Sequence, residues 1–358
     1  MTDLFSPLKL GRYELPNRIF MAPMTRNRAP DNIANAMMAF HYRQRASAGL
    51  LITEGSQISE QAVGYPATPG IYSPEQVEGW RGVVDAVHAD GGHIFLQLWH
   101  CGRVSHPDYH GGEPAVAPSA IRPAGEAFTN TGLKPFEMPR ELTLSEISDV
   151  VDDYKKATGN AIDAGFDGVE IHGANGYLLD QFLRDGSNQR SDAYGGTLKN
   201  RARLMLEVTE AVCDVAGAER VGIRLSPLQP FNDMRDSNPE ETFSYVVEQL
   251  NHFGLAYLHV TEMGSEVPDA AGPAFDLGRL RLLWRGLYIT NSGYDKARGN
   301  AAIMDGNADA VAFGQPYIAN PDLVERLRSD AELNVPDGAT FYGGDEHGYT
   351  DYPAMGGV

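Results

Sequence analysis

The chain has 358 residues, 42% of them hydrophobic, and a formal net charge of -19. That is ample apolar material for a large core, while the acidic balance argues against nucleic acid and anionic membrane surfaces as partners. No leader-like segment opens the sequence, no apolar run could span a bilayer, and two cysteines, Cys101 and Cys213, are too few for a disulfide scaffold or a four-cysteine iron–sulfur cluster, so a cytoplasmic protein without a metal site is expected.

Taken in chain order, Leu8–Leu15 alternates around a turn and predicts a small hairpin. From Arg18 onward, short apolar runs alternate with helical patterns. The run Arg18–Ala22 precedes a helix over Ala34–Ala48, and Leu50–Thr53 precedes Pro74–Ala89. Ile94–Leu98 is followed by a long excursion and then a helix at Ser145–Ala164. Gly168–Ile171 leads to Asn200–Val215, Val221–Leu225 to Pro239–Phe253, and Leu255–Val260 to Phe275–Trp284. Leu287–Thr290 leads to Tyr294–Asp305, and Ala310–Phe313 to Pro321–Leu327. Most of the strand candidates are short, continuous and apolar, as parallel strands buried on both faces should be. Hydroxyl caps open the helices at Thr143 and Ser145 and at Ser73-Pro74, and Asn320-Pro321-Asp322 predicts the same start. Gly49, Gly91, Gly165 and Gly254 mark helix ends.

Eight alternating units predict an α/β fold, a (β/α)₈ TIM barrel with an N-terminal β-hairpin, in a single domain over residues 1–358. A doubly wound sheet usually has a Gly-rich first turn, whereas here the first turn reads Pro23-Met24-Thr25-Arg26. Cys101–Arg140 carries six prolines and no clear period, and reads as a long loop excursion after strand three, over the barrel mouth. The segment Asp269–Leu287, with Arg279, Arg281 and Arg285 among apolar residues, reads either as a lid or as a solvated helix face.

Active sites of this fold sit at the C-terminal strand ends. Strand four ends in His172-Gly-Ala-Asn175-Gly-Tyr177. A His and an Asn three residues apart can aim two donors at one oxygen, and a nearby phenol can deliver a proton. That set suits reduction of a carbon–carbon double bond conjugated to a carbonyl, given a hydride source beneath. Ser292-Gly293 and Gly314-Gln315, after strands seven and eight, offer backbone N–H groups to a phosphate. Gln97 and Arg224 then stand where they can bond the polar edge of a phosphorylated ring cofactor, and a cation there would stabilise a reduced flavin.

These residues lie within longer motifs. Asn17-Arg-Ile-Phe-Met-Ala-Pro-Met-Thr-Arg26, Gln97-Leu-Trp-His-Cys-Gly-Arg103, His172-Gly-Ala-Asn-Gly-Tyr-Leu-Leu-Asp-Gln-Phe182, Tyr194-Gly-Gly-Thr-Leu-Lys-Asn-Arg201 and Gly348-Tyr-Thr-Asp-Tyr-Pro353 occur in that order. In combination the chain resembles the old yellow enzyme family of FMN-dependent ene-reductases, nearly end to end. The resemblance implies non-covalent FMN, a nicotinamide reductant (NADPH or NADH), and small α,β-unsaturated carbonyl or nitro substrates. It implies catalytic roles for His172, Asn175, Tyr177 and Thr25, the last bonding flavin O4. It places Ala22, Pro23, Met24, Gly55, Gln97 and Arg224 along the flavin, and Tyr65, Trp99 and Tyr342 around the substrate. Thr25 stands where one branch of the family has cysteine, so the chain is similar to the classical branch. Gln315 departs from the pattern, because relatives carry a phosphate-binding Arg there. A monomer or homodimer is expected. The alternative function is a flavin carrier or sensor on the same barrel without efficient turnover.

Overall fold

The computed structural model describes residues 2–262 and 275–356. Eight parallel strands close into a barrel: Ile19–Met21, Leu50–Gln57, Ile94–Trp99, Gly168–His172, Val221–Leu225, Tyr257–Thr261, Leu287–Asn291 and Ala310–Phe313. The eighth strand pairs with the first, Val311 beside Ile19, which completes the ring. Helices intervene between strands as predicted, so the TIM-barrel expectation stands.

Side-chain alternation divides each strand between two cores. Outward residues such as Leu51, Leu96, Val169, Ile223, Leu258 and Val311 pack under the helices. Inward residues Phe20, Leu50, Ile52, Phe95, Tyr257, Ile289 and Ala310 fill the lower barrel. The hairpin Leu8–Leu10/Tyr13–Leu15 adds Leu8, Leu10 and Leu15 to that inner cluster. Tyr13 donates to the Asp167 carbonyl, immediately before the fourth strand, so the hairpin stoppers the N-terminal end. Above this apolar plug the inward positions turn polar: Gln97, Glu170, His172, Arg224, His259 and Asn291 are all buried. The lower barrel is therefore packed with apolar side chains, and a layer of buried polar ones lies above them.

The structure departs from the sequence expectations in several places. The second strand runs on to Gln57 because a register shift between Ile52 and Gly55 lets Gly55, Ser56 and Gln57 pair with Gln97, Leu98 and Trp99. The excursion after strand three contains its own hairpin, Glu126–Thr129 with Gly132–Pro135, closed by a Thr129 Oγ1 bond to the Gly132 carbonyl. The predicted helix Asn200–Val215 is two pieces, Leu198–Arg201 and Arg203–Ala216. Short helices at Leu178–Leu183 and Gln315–Ala319 follow strands four and eight. Asn320 caps no helix. Its amide bonds Pro316 and Asn334, and the last helix begins at Leu323 without a side-chain cap. Of the segment Asp269–Leu287, residues up to 274 lie outside the described residues. The remainder carries the helix Gly278–Leu283, where Arg279 pairs with Glu240 and Leu282 is exposed, which is a solvated face.

Ser73 and Thr143 do cap their helices. Each accepts from the third residue on, and the Gln76 and Glu146 side chains bond back to them, satisfying N–H groups that a helix start leaves open.

Candidate active site

A cavity of about 530 Å³ opens above the polar layer. Ala22, Pro23, Met24 and Thr25, from the turn after strand one, form one wall. Gln97 and Arg224 lie at its polar floor with Asn291. His172, Asn175 and Tyr177 line another side, with Tyr65, Trp99 and Tyr342 around them, and Gly314 and Gln315 close a further edge. The strand-end residues expected at the site thus converge, with three exceptions.

Gly55 does not line the cavity. It sits behind Trp99, where a Cβ would fall 2.5 Å from the indole ring, so glycine here is a seat for Trp99. Ser292 and Gly293 are also outside the cavity lining. Their turn is left-handed at both residues, and the Ser292 hydroxyl bonds Thr261.

His172 ends strand four. Burial holds its imidazole well below the usual range, with the Arg224 charge adding to the effect, so the ring is neutral at neutral pH. Asn175 and Gly176 are consecutive left-handed residues, with φ of 61° and 78°. Asn tolerates this conformation and glycine adopts it freely. The Asn175 N–H donates to Ser226 Oγ at 2.6 Å and its carbonyl accepts from Asn232, which fixes the turn. The chain swings back so that Tyr177 meets His172 edge-on at 5.1 Å between ring centroids and Trp99 at 4.9 Å. The Tyr177 hydroxyl lies 3.1 Å from that of Tyr65. Burial, aided by Tyr65 and Cys101, pushes Tyr177 well above the ordinary phenol range, so it keeps its proton.

Several buried polar atoms of this cavity have no partner among the described residues: Arg224 Nε, His172 Nδ1, Trp99 Nε1 and Asn175 Oδ1. Leaving such an atom unpaired costs roughly 1–3 kcal/mol. A bound group with complementary polar atoms would offset that cost, and a flavin with its pyrimidine edge toward Gln97 and Arg224 fits the acceptor and donor they present.

No local sequence pattern points to the contacts that hold the mouth. Arg26 Nε donates to the Phe341 carbonyl at 2.8 Å, and Arg28 donates to the carbonyls of Asp345 and Thr340. Both guanidiniums flank the Tyr349 ring, Arg28 at 4.4 Å. These contacts pin the C-terminal segment bearing Phe341 and Tyr342 over the cavity. Phe128, from the excursion hairpin, and Phe231 also reach it. Only an aromatic in a long loop marks such residues in sequence, and that signal is weak.

The comparisons agree with this geometry. The model of the NADH:flavin oxidoreductase / NADH oxidase family matches residues 3–334. The chain belongs to that family. It is an FMN-dependent oxidoreductase, and its likeness to the old yellow enzymes is a true kinship. It is 46% identical to 12-oxophytodienoate reductase 1 of Oryza sativa subsp. japonica, over 98% of this chain and 93% of the rice protein. Morphinone reductase in complex with tetrahydroNAD superposes with a TM-score of 0.94 at 48% identity, covering 99% of this chain and 98% of that one. The old yellow enzyme homologue from Zymomonas mobilis gives a TM-score of 0.94 at 43% identity, covering 98% and 99%.

Gln315 is exposed and has no ion pair among the described residues. Of the cations on the helix after strand seven, Lys296–Met304, Lys296 is committed to Asp330 at 2.6 Å. Arg298 lies against the Ser292 and Gly293 carbonyls but is paired with Glu262 at 2.6 Å, so its charge is balanced. Gln315→Arg should therefore tighten FMN binding by roughly threefold to tenfold, the modest end for a charge-assisted bond at an exposed position. FMN titration of the apoprotein checks this, and an unchanged dissociation constant would show that Arg298 already supplies the charge.

A second expectation concerns Glu54, which receives the Arg26 backbone N–H. Burial pushes its carboxyl up to about 7, against the pull of Arg26. The folded value exceeds the unfolded one, so the carboxyl's contribution is full below about 4.5 and is lost as pH rises through about 7. The loss is on the order of 3 kcal/mol. Glu54→Gln removes the titration, so its melting temperature relative to wild type should climb between pH 5 and pH 8. A gap that stays constant across that range would contradict the assignment.

Proposed function

We propose that this enzyme reduces the carbon–carbon double bond of small α,β-unsaturated carbonyl or nitro compounds, with NADPH or NADH as reductant. The observation that carries the reading is one cavity wall holding a neutral imidazole, an amide and a protonated phenol, with partnerless polar atoms on the first two. Two relatives bear the names 12-oxophytodienoate reductase and morphinone reductase, and the second was solved with tetrahydroNAD, which supports the substrate class and the nicotinamide.

In this reading Ala22, Pro23, Met24 and Thr25 hold the non-covalent FMN from the side, with Thr25 toward flavin O4. Gln97 and Arg224 take its polar edge, and the Gly314–Gln315 turn, with Ser292 and Gly293 beyond it, takes the phosphate. FMN bound there would supply the hydride chemistry that links the nicotinamide to the β-carbon of the substrate. His172 and Asn175 donate hydrogen bonds to the carbonyl or nitro oxygen and so draw electron density from the double bond. A neutral imidazole suits this role, because it has an N–H to give and no charge to desolvate. Tyr177 delivers a proton to the α-carbon. Tyr65, Trp99 and Tyr342 confine the substrate between aromatic faces.

A flavin carrier would have no use for a buried phenol held protonated beside two donors, so turnover is the better reading. No helix among the described residues is long and apolar enough to cross a membrane. The proposal takes the protein as a single-domain cytoplasmic monomer or homodimer, and the net charge of -19 disfavours nucleic acid as a partner.

Tyr177→Phe separates the two halves of the reaction. Enone reduction should slow by about 10²–10⁴, the usual contribution of a positioned general acid, while flavin reduction by NADPH changes little. Stopped-flow measurement of each half-reaction reads both. Equal slowing of the two would assign Tyr177 to packing and remove it as proton donor.

A further inference from the structure

The fourth barrel strand reads Gly-Val-Glu-Ile-His, and its single carboxylate has no solvent exposure. Glu170 faces inward, one layer below His172, level with Gln97 on the neighbouring strand. Its Oε1 accepts from Gln97 Nε2 at 2.8 Å. Its Oε2 accepts from the Tyr257 hydroxyl at 3.1 Å and from His259 Nδ1 at 2.9 Å. Gly222, beside Tyr257 in register, leaves room for that ring, since a Cβ there would lie 2.1 Å from it.

The protonation states follow from the contacts. Burial alone would push Glu170 up, but His259, Arg224 and Gln97 together outweigh it and hold the carboxyl below its usual range, so it is ionised. Burial lowers His259 despite the carboxylate beside it. A neutral imidazole facing a carboxylate must put its proton on Nδ1, because two acceptors cannot bond. Arg224, whose charge also draws the Glu170 carboxyl down, has an unpartnered Nε among the described residues and gives Nη2 to Asn291.

This arrangement dictates what the cavity floor presents. An amide has one donor end and one acceptor end. With Nε2 of Gln97 committed to Glu170, the carbonyl is the end left for the cavity. An acceptor from Gln97 and a donor from Arg224 match an imide N–H and an adjacent carbonyl, the pattern on the pyrimidine edge of FMN. We propose that Glu170 is a positioning residue for the cofactor: it fixes the Gln97 amide with its acceptor toward the ring, and it offsets the Arg224 charge that would otherwise favour reduced flavin more strongly. The proposal rests on FMN lying in this cavity with that edge on the floor.

Glu170→Gln tests both parts. Its carboxamide oxygen would go to Tyr257 and His259, and its NH₂ would face Gln97. Gln97 would then turn its own NH₂ to the cavity, donor against donor. Oxidised FMN should bind about tenfold more weakly, and the visible spectrum of the bound flavin should shift. With the carboxylate gone, reduced FMN should gain at least tenfold relative to oxidised, which moves the two-electron midpoint potential up by about 30 mV. Glu170→Asp keeps the charge but falls short of Gln97. It should restore the potential and not the affinity for oxidised FMN, and it serves also if the Gln variant does not fold. An unshifted potential in Glu170→Gln, or unchanged affinity in Glu170→Asp, would overturn the proposal. Failure of the wild-type apoprotein to take up FMN would instead overturn the cofactor placement beneath it.

Discussion

Glu170 and Arg224 are both buried inside a closed barrel, and the arrangement above them follows from having to satisfy two charged groups without solvent. Buried charges are tolerated only when they are paired and their remaining hydrogen-bonding capacity is met. Below, the barrel offers Phe20, Leu50, Phe95 and Ile289, which have nothing to give. Donors must come from the same layer or the one above, and they do: Gln97, Tyr257 and His259 on the carboxylate, Asn291 on the guanidinium. What remains unmet, Arg224 Nε and the free end of Gln97, lies at the cavity floor. The position of the site is thus a consequence of where the apolar plug stops.

The same burial produces two opposite chemical states in neighbouring side chains. Removing water disfavours charge, so it keeps the His172 imidazole unprotonated and the Tyr177 phenol protonated. Each is left with a hydrogen to offer over a broad pH range. One environment therefore holds both a neutral imidazole and a protonated phenol, the two states that the proposed roles of His172 and Tyr177 require. The aromatic walls contributed by Trp99 and Tyr65, stacked at 5.4 Å, extend that low-polarity surround.

Much of the barrel was legible because period and punctuation agree. Continuous apolar runs separated by capped helices allow few architectures, and the strand ends then place His172, Asn175, Tyr177, Gln97 and Arg224 together. Other features depend on contacts that no local pattern carries. Arg26 and Arg28 hold carbonyls more than 300 residues away. Gly55 resembles a cofactor-lining glycine by position, yet the register shift in its strand sets it behind Trp99. Ser292 and Gly293 lie outside the cavity lining, in a turn that is left-handed at both residues. Glu170 was the missed signal that sequence did contain: a lone carboxylate inside a run of buried strand residues must have partners, and the partners lead to the cofactor edge.

The proposed function places the flavin in the cavity lined by His172, Asn175 and Tyr177, where the nicotinamide and the enone would each reach it in turn. Initial rates measured with NADPH and an enone varied together test this most directly. A shared site predicts parallel double-reciprocal lines, the mark of a ping-pong sequence, with each substrate inhibiting competitively against the other at high concentration. Intersecting lines, which require both substrates bound at once, would contradict the account.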